Sequence, residues 1–115
     1  MIALDRNDRR VIALLARAAE LAARVTIPAT ALAQVMRRPS RQVRLARLVR
    51  QPTTALVALD GEHATQVGLL LAASKTNDIV DAHVVICARQ RGQSIVTSDA
   101  EDLRRLDPAA RLIVI

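Results

Sequence analysis

Short apolar runs alternate along this chain with stretches in which apolar residues recur at helical spacing. Apolar runs bounded by turn residues are typical of buried strands. They occur at residues 25–27, 54–59, 94–97 and 112–115. The intervening spacing predicts helices at about residues 9–24, 29–37, 41–50, 62–73, 79–91 and 100–106. Strands that alternate with helices in this way predict a three-layer α/β domain with a small parallel sheet.

Several residues mark the ends of these predicted helices. Asp60 is a candidate N-cap for the fourth helix, and Asn77 or Asp78 is one for the fifth. Short polar side chains suit this position because they accept hydrogen bonds from the first backbone N–H groups of a helix. Ser40 is the candidate cap of the third helix. Gly92 is expected to end the fifth helix.

The beginning of the chain fits this pattern least well. A domain of this kind should open with a buried central strand, but only MIAL precedes Asp5. Either the first strand is a stub that ends at Asp5, or the sequence starts late within the domain. We therefore expect residues 1–115 to form a single domain that is short at its N-terminus.

The composition restricts both the core and the chemistry of the protein. At 115 residues the chain is long enough to bury one ordinary core, and 51% of its residues are hydrophobic. It contains no Phe, Tyr or Trp, so the core must be aliphatic and bases cannot stack on aromatic rings. Contact with a nucleic acid would therefore depend on charge and on metal ions.

The cysteine and the histidines are interpreted as structural residues. Cys87 lies in a helical apolar run, where it is expected to pack as a small hydrophobe, and it cannot form an internal disulfide. His63 and His83 lie on predicted helices without a partner at metal-ligand spacing, so both are expected to be structural or surface residues.

The chain is expected to belong to the cytoplasm. A single cysteine suits a reducing compartment. No run of 18 apolar residues predicts a membrane span, and the N-terminus is too charged for a secretory signal.

Positive charge is concentrated in the first half of the chain. Residues 1–50 contain 11 arginines and three acids, whereas residues 51–115 contain six basic residues and eight acids. This asymmetry is typical of a surface that binds a polyanion near a metal site. A GC-rich genome and a solvated helix face are alternative explanations for many of the arginines. The candidate RNA-contacting residues are Arg37, Arg38, Arg41 and Arg44.

Two carboxylates are expected to meet at one edge of the sheet. Asp81 lies near the start of the fifth helix, and Asp99 lies just past the strand at 94–97. Helix N-termini and strand C-termini share one edge of a parallel sheet, where open α/β sheets bind ligands. No basic residue lies between Thr97 and Asp102 to neutralise the pair. We therefore predict that this edge binds Mg²⁺ or Mn²⁺.

Other polar residues near this edge have a structural interpretation as well as a functional one. Asp78 and Asp102 are accessory candidates, although helix capping or solvation explains them equally well. Asp99 also suits an N-cap, with Asp102 at capping-box spacing. Thr97 and Ser98 are candidates for orienting water or phosphate, but they also suit a turn at a strand end.

A motif at residues 80–103 combines an acidic helix start, a small residue, a glycine stop, an apolar strand and a second acidic turn. Its elements are Asp81-Ala82, Ala88, Gly92, Ile95-Val96 and Thr97-Ser98-Asp99 followed by Asp102. The motif resembles the C-terminal half of a PIN domain, and it is most similar to small ribonuclease toxins of the VapC type. The segment TIPATALAQVMRRP resembles the second strand and following helix of the same family.

The resemblance implies a three-layer α/β/α domain with an acidic pocket at the C-terminal edge of a parallel sheet. Such a pocket binds Mg²⁺ or Mn²⁺ and cleaves single-stranded RNA. The family resemblance also implies a homodimer and a cognate VapB-type antitoxin that inserts a basic side chain into the pocket.

The sequence departs from the family pattern at two acids. The segment that carries the first acid is absent, and Asp5 is an accessory candidate for its place. Gln34 stands where the family has its second acid, a Glu, and a neutral amide offers a metal an oxygen but no charge. A non-catalytic or truncated PIN-like protein that acts by binding antitoxin or RNA is therefore the alternative to an active nuclease.

Overall fold

Among the residues that the structure describes, five short parallel strands form one sheet, which helices cover to give three layers. The structure is a computed structural model that describes residues 2–3 and 8–115, without the side chains of residues 2, 3, 8, 9, 11, 12 and 19. The strands are β1 Ile2–Ala3, β2 Val25–Pro28, β3 Thr54–Val57, β4 Ile95–Thr97 and β5 Leu112–Val114. Their order across the sheet is β3-β2-β1-β4-β5. The α/β/α class expected from the sequence is therefore confirmed.

In the described part of the chain, six α-helices connect the strands. They are α1 Asp8–Glu20, α2 Ala29–Met36, α3 Gln42–Val49, α4 Gly61–Ser74, α5 Ile79–Arg91 and α6 Ala100–Leu106. A short 3-10 helix at Pro39–Arg41 precedes α3. Helices α1 and α3 pack together beside β2 and β3, whereas α5 lies against β1, β2 and β4 with α2, α4 and α6 around it. Among the described residues, no helix combines the length and apolarity that crossing a bilayer requires.

The first strand occupies the central position in the sheet although it is very short. Ile2 pairs with Thr26 of β2 and with Ile95 of β4, and Ala3 pairs with Val96. A strand of two residues, Ile2–Ala3, thus lies between β2 and β4. Asp5, where the stub was expected to end, lies outside the described residues.

Helix α5 is the centre of the hydrophobic core. Residues 82–88 are all buried, which requires neighbours on every side of the helix. Aliphatic residues from the sheet and the other helices surround it, including the fully buried Leu15, Ile27 and Leu45. An alanine-rich and valine-rich helix suits this position because small side chains let it approach the sheet closely.

Local capping agrees with the sequence at some helix ends and differs at others. Asp60 and Asp78 cap α4 and α5, and Gly92 ends α5 in the left-handed conformation, as predicted. The predicted role of Ser40 is wrong, because the N-cap of α3 is Arg41 and has no side-chain cap hydrogen bond. Helix α1 ends at Glu20, four residues before the predicted end.

Candidate acidic active site

Three of the predicted acids line one cleft. Because all strands are parallel, the start of α5 and the end of β4 lie at the same edge of the sheet. Asp78 and Asp81 come from the start of α5, and Asp102 comes from the first turn of α6. Together with Thr76, Asn77, Arg105 and Leu106 they line a cleft of about 240 Å³.

Backbone hydrogen bonding fixes the geometry at the start of α5. The Oδ1 atom of Asp78 accepts a hydrogen bond of 3.0 Å from the backbone N–H of Asp81. Asp78 is therefore a helix cap as well as a member of the cleft. Both side chains are half-buried.

The turn after β4 holds Asp99 at the strand end. The hydroxyl of Thr97 accepts a hydrogen bond of 2.9 Å from the backbone N–H of Asp99, and Thr97 is only 2% exposed. Asp99 occupies the N-cap position of α6 but makes no side-chain cap hydrogen bond, so the predicted capping box is wrong. Ser98, between them, is half-buried. The hydroxyl of Thr97 thus serves the strand-end turn.

The guanidinium group of Arg105 partly neutralises the negative charge at one side of the cleft. Arg105 lies one turn after Asp102, and its Nη1 atom is 3.6 Å from Asp102 Oδ1. Asp99 lies three residues before Asp102 in the chain, at the end of the neighbouring strand. The structure thus gathers Asp78, Asp81 and Asp102 in one cleft. Asp99 lies at the N-cap of α6, beside the residues that line it.

Helix α2 carries the neutral member of the predicted site. Gln34 is exposed, and its backbone carbonyl accepts a hydrogen bond of 3.1 Å from Arg37 Nε. Helix α2 packs against α5, the helix that carries Asp81. The candidate acid Asp5 lies outside the described residues.

The predicted RNA-contacting arginines lie on or near α2 and α3. Arg37, Arg38 and Arg44 are exposed, and Arg41 is half-buried. Arg44 and Arg47 line a second cleft, of about 550 Å³, between α1 and α3. Glu20 lines the same cleft, so its charge is mixed.

The two histidines lie in the core and contact each other. His83 is fully buried and His63 is 8% exposed, so neither is a surface residue. The expectation that neither has a partner at metal-ligand distance is wrong, because the two rings and Cys87 lie close together. His63 Nδ1 and His83 Nε2 are 3.1 Å apart, and His83 Nδ1 is 2.8 Å from the hydroxyl of Thr30. Burial, and then the neighbouring His63, lower the pKa of His83, so its imidazole is neutral at physiological pH.

The sequence did not reveal that Cys87 joins these histidines. Its sulfur and one nitrogen of each histidine all lie within 4.8 Å of one another. The sequence pattern that indicates this contact is the spacing of His83 and Cys87, which are four residues apart and so share a helix face. The contribution of His63 could not be read from spacing, because it lies on another helix.

The donor atoms in the acidic cleft suit a hard divalent cation. Carboxylate oxygens are the ligands that Mg²⁺ and Mn²⁺ prefer, and Asp78, Asp81 and Asp102 all offer them to the same space. The residues present therefore fit a site for such an ion.

Comparison with known proteins identifies the domain. A model of the PIN-domain family matches residues 1–108, which is nearly the whole chain. No match was found among curated proteins. PIN domains are in general divalent-metal-dependent nucleases, and members of the family commonly bind antitoxins and RNA.

Proposed function

Because the chain belongs to the PIN-domain family, we propose that it is a VapC-type toxin that cleaves single-stranded RNA with Mg²⁺ or Mn²⁺. The observation that carries this proposal is the cleft where Asp78, Asp81 and Asp102 lie together at the C-terminal edge of the parallel sheet. Parallel α/β sheets bind their ligands at this edge, and clustered carboxylates provide the oxygen ligands of a divalent cation.

The acids in and beside the cleft have different proposed roles. Asp81 and Asp99 are the proposed ligands and catalytic residues. Asp78 is an accessory residue, because one of its oxygens already accepts the N–H of Asp81. Asp102 is held at the rim near Arg105, and Thr97 positions Asp99 through its backbone N–H. A bound divalent cation supplies Lewis-acid activation of water and stabilises charge on the phosphate oxygens.

RNA binding is proposed to depend on arginine rather than on stacking. The chain has no Phe, Tyr or Trp, so the aromatic platforms used by many single-strand binders are absent from its sequence. Guanidinium groups form bidentate hydrogen bonds with phosphate and remain charged at any physiological pH. The proposed contacts are Arg37, Arg38, Arg41 and Arg44.

The proposed partner is a cognate VapB-type antitoxin in the cytoplasm. A basic side chain inserted between Asp78, Asp81 and Asp102 would neutralise the charge that the metal otherwise neutralises. This contact would compete directly with the metal and so keep the nuclease inactive. We also propose a homodimer, since VapC-type proteins pair through their helices.

The test compares two variants that each remove one negative charge. We expect Asp81→Asn to lower Mn²⁺-dependent RNA cleavage by at least about 100-fold, the usual effect of removing one group that stabilises transition-state charge. Asp81→Asn preserves the backbone N–H that Asp78 caps, so the helix should remain intact. Glu101→Gln is the control, because Glu101 is exposed on the same short helix as Asp102 and does not line the cleft.

Cleavage rates and Mn²⁺ affinity should be measured together, with circular dichroism to confirm folding. Full activity of a folded Asp81→Asn protein would show that the cleft is not the catalytic site. Equal losses in both variants would show a general effect of charge instead of a role for Asp81.

A binding protein without catalytic activity is the second candidate function. The observation that favours it is Gln34, which places an uncharged amide on α2 where the family carries an acid. RNA binding by the unmodified chain, without cleavage in the presence of Mg²⁺ or Mn²⁺, would support this alternative.

A further inference from the structure

We propose that His63, His83 and Cys87 form a second metal site, which suits zinc and is separate from the acidic cleft. The three ligand atoms lie within 4.8 Å of one another, and all three residues are buried. Imidazole nitrogen and thiolate sulfur are both zinc ligands, and three such ligands leave the fourth tetrahedral position to a water molecule or another donor. The proposal does not depend on nuclease activity.

Two of the proposed ligands come from α5, and the third comes from α4, which packs against it. His83 and Cys87 are one turn apart on the same face of α5, which is a common way for a helix to hold two ligands of one metal. His63 comes from the first turn of α4, the helix that packs most extensively against α5. Asp60 fixes that turn by accepting a hydrogen bond of 2.8 Å from the backbone N–H of His63.

The distance between the two imidazoles already suits a shared ion. Two nitrogens bound tetrahedrally to one Zn²⁺ lie about 3.3 Å apart, given Zn–N bonds of about 2.0 to 2.1 Å. His63 Nδ1 and His83 Nε2 are 3.1 Å apart. The two nitrogens are thus already at about the separation of two ligands of one ion, and the rings would turn to direct both lone pairs at it.

Thr30 completes the arrangement around His83. In the tautomer that carries its proton on Nδ1, His83 donates to the hydroxyl of Thr30 at 2.8 Å, and its Nε2 lone pair faces the cluster. Zinc-binding histidines usually donate their second ring N–H in this manner. The proton on His63 Nδ1 would move to its Nε2, and the thiol of Cys87 would release one proton to solvent.

The ligands also discriminate between metals. Mg²⁺ and Mn²⁺ prefer oxygen ligands and so should choose the acidic cleft, whereas thiolate and imidazole favour Zn²⁺. A bound zinc ion would join α4 to α5 two residues after Asp81. The site would thereby stabilise the helix that presents Asp81 to the cleft.

The test uses the full chain after treatment with a chelator. We expect one Zn²⁺ per chain by calorimetry and a higher Tm with zinc.

Co²⁺ in place of Zn²⁺ should produce a thiolate-to-cobalt charge-transfer band. Cys87→Ala and His63→Asn should each weaken Zn²⁺ binding by more than about 100-fold, because even partners of ligands are worth about 10- to 100-fold. Thr30→Val should weaken Zn²⁺ binding by about 10- to 100-fold, because Thr30 contacts a ligand and is not one itself.

Asp81→Asn is the matched control because it changes only the acidic cleft, and it should retain the zinc affinity. The proposal is overturned if the folded, unmodified chain binds no Zn²⁺, or if bound Co²⁺ shows no thiolate band. It is also overturned if Asp81→Asn abolishes binding while Cys87→Ala preserves it. The cobalt spectrum of the unmodified chain decides the question even if the core variants fail to fold.

Discussion

At the scale of single residues, burial determines how Cys87 ionises. Its side chain is fully buried in the middle of α5. Desolvation raises the pKa of the thiol from 9.0 to about 11, and the nearby Arg91 offsets only part of this effect. In the metal-free protein at neutral pH, Cys87 is therefore a protonated thiol and a poor nucleophile.

This shift predicts how stability depends on pH in the alkaline range. Above about pH 9 the unfolded chain loses the thiol proton, whereas the folded chain keeps it until about pH 11. The unfolded state thus binds fewer protons in this interval, so the free energy of unfolding falls as pH rises, by at most about 2 to 3 kcal/mol.

Urea unfolding of the metal-free protein at about pH 8 and about pH 10.5 measures this fall. The chain has no tyrosine and one lysine, so few other groups titrate in the same interval. Cys87→Ala should remove this part of the pH dependence. An unchanged dependence in that variant would assign the fall to other groups.

At the scale of elements, glycine stabilises a helix end that needs a left-handed residue but destabilises a helix interior. Gly92 ends α5 with φ of 60°, and its backbone N–H donates to the carbonyl of Ala88. Gly68 lies within α4, exposed and with open space around the position of a Cβ atom. The first glycine is required by the backbone, whereas the second only weakens its helix.

Alanine at these two positions should therefore change stability in opposite directions. We expect Gly92→Ala to lower the free energy of unfolding by about 1 kcal/mol, because a side chain disfavours the left-handed conformation. Gly68→Ala should raise it by about 0.5 to 1 kcal/mol through helix propensity. Thermal or urea unfolding measures both, and shifts of the same sign would contradict this account of the two helices.

At the scale of the whole molecule, charge is divided between two regions. The first 50 residues carry 11 arginines, and the acids of the cleft come from the second half of the chain. Arginines follow α2 and lie on α3, whereas the acids of the cleft come from α5 and α6. A substrate with a phosphate backbone suits both regions once a cation neutralises the cleft.

This division predicts the salt dependence of RNA binding. If Arg44 contacts a phosphate, Arg44→Gln should weaken binding and reduce the slope of log K against log salt by about 0.7, the value for one contact to a single strand. Arg91→Gln is the control, because Arg91 is exposed at the other end of α5. Binding isotherms at several salt concentrations measure the slope, and equal changes in both variants would indicate a general effect of net charge.

The elements were predictable because their signals are local. The caps Asp60 and Asp78 and the glycine stop at Gly92 act within one turn, so the sequence located α4 and α5 closely. The prediction for α1 extended four residues too far, because apolar spacing continues after Glu20 while the backbone of Ala22 adopts φ of 56°. Ser40 failed as a cap because Pro39 begins a separate 3-10 helix.

The sequence by itself determined the α/β class, the aliphatic core and the family motif. These features depend on periodicity, composition and short spacings, which need no knowledge of distant contacts. Only the tertiary structure decided that Asp102 shares a cleft with Asp78 and Asp81, and that His63 meets His83 and Cys87. Those groupings depend on how α4, α5 and α6 pack, because packing brings together residues that are far apart in the chain.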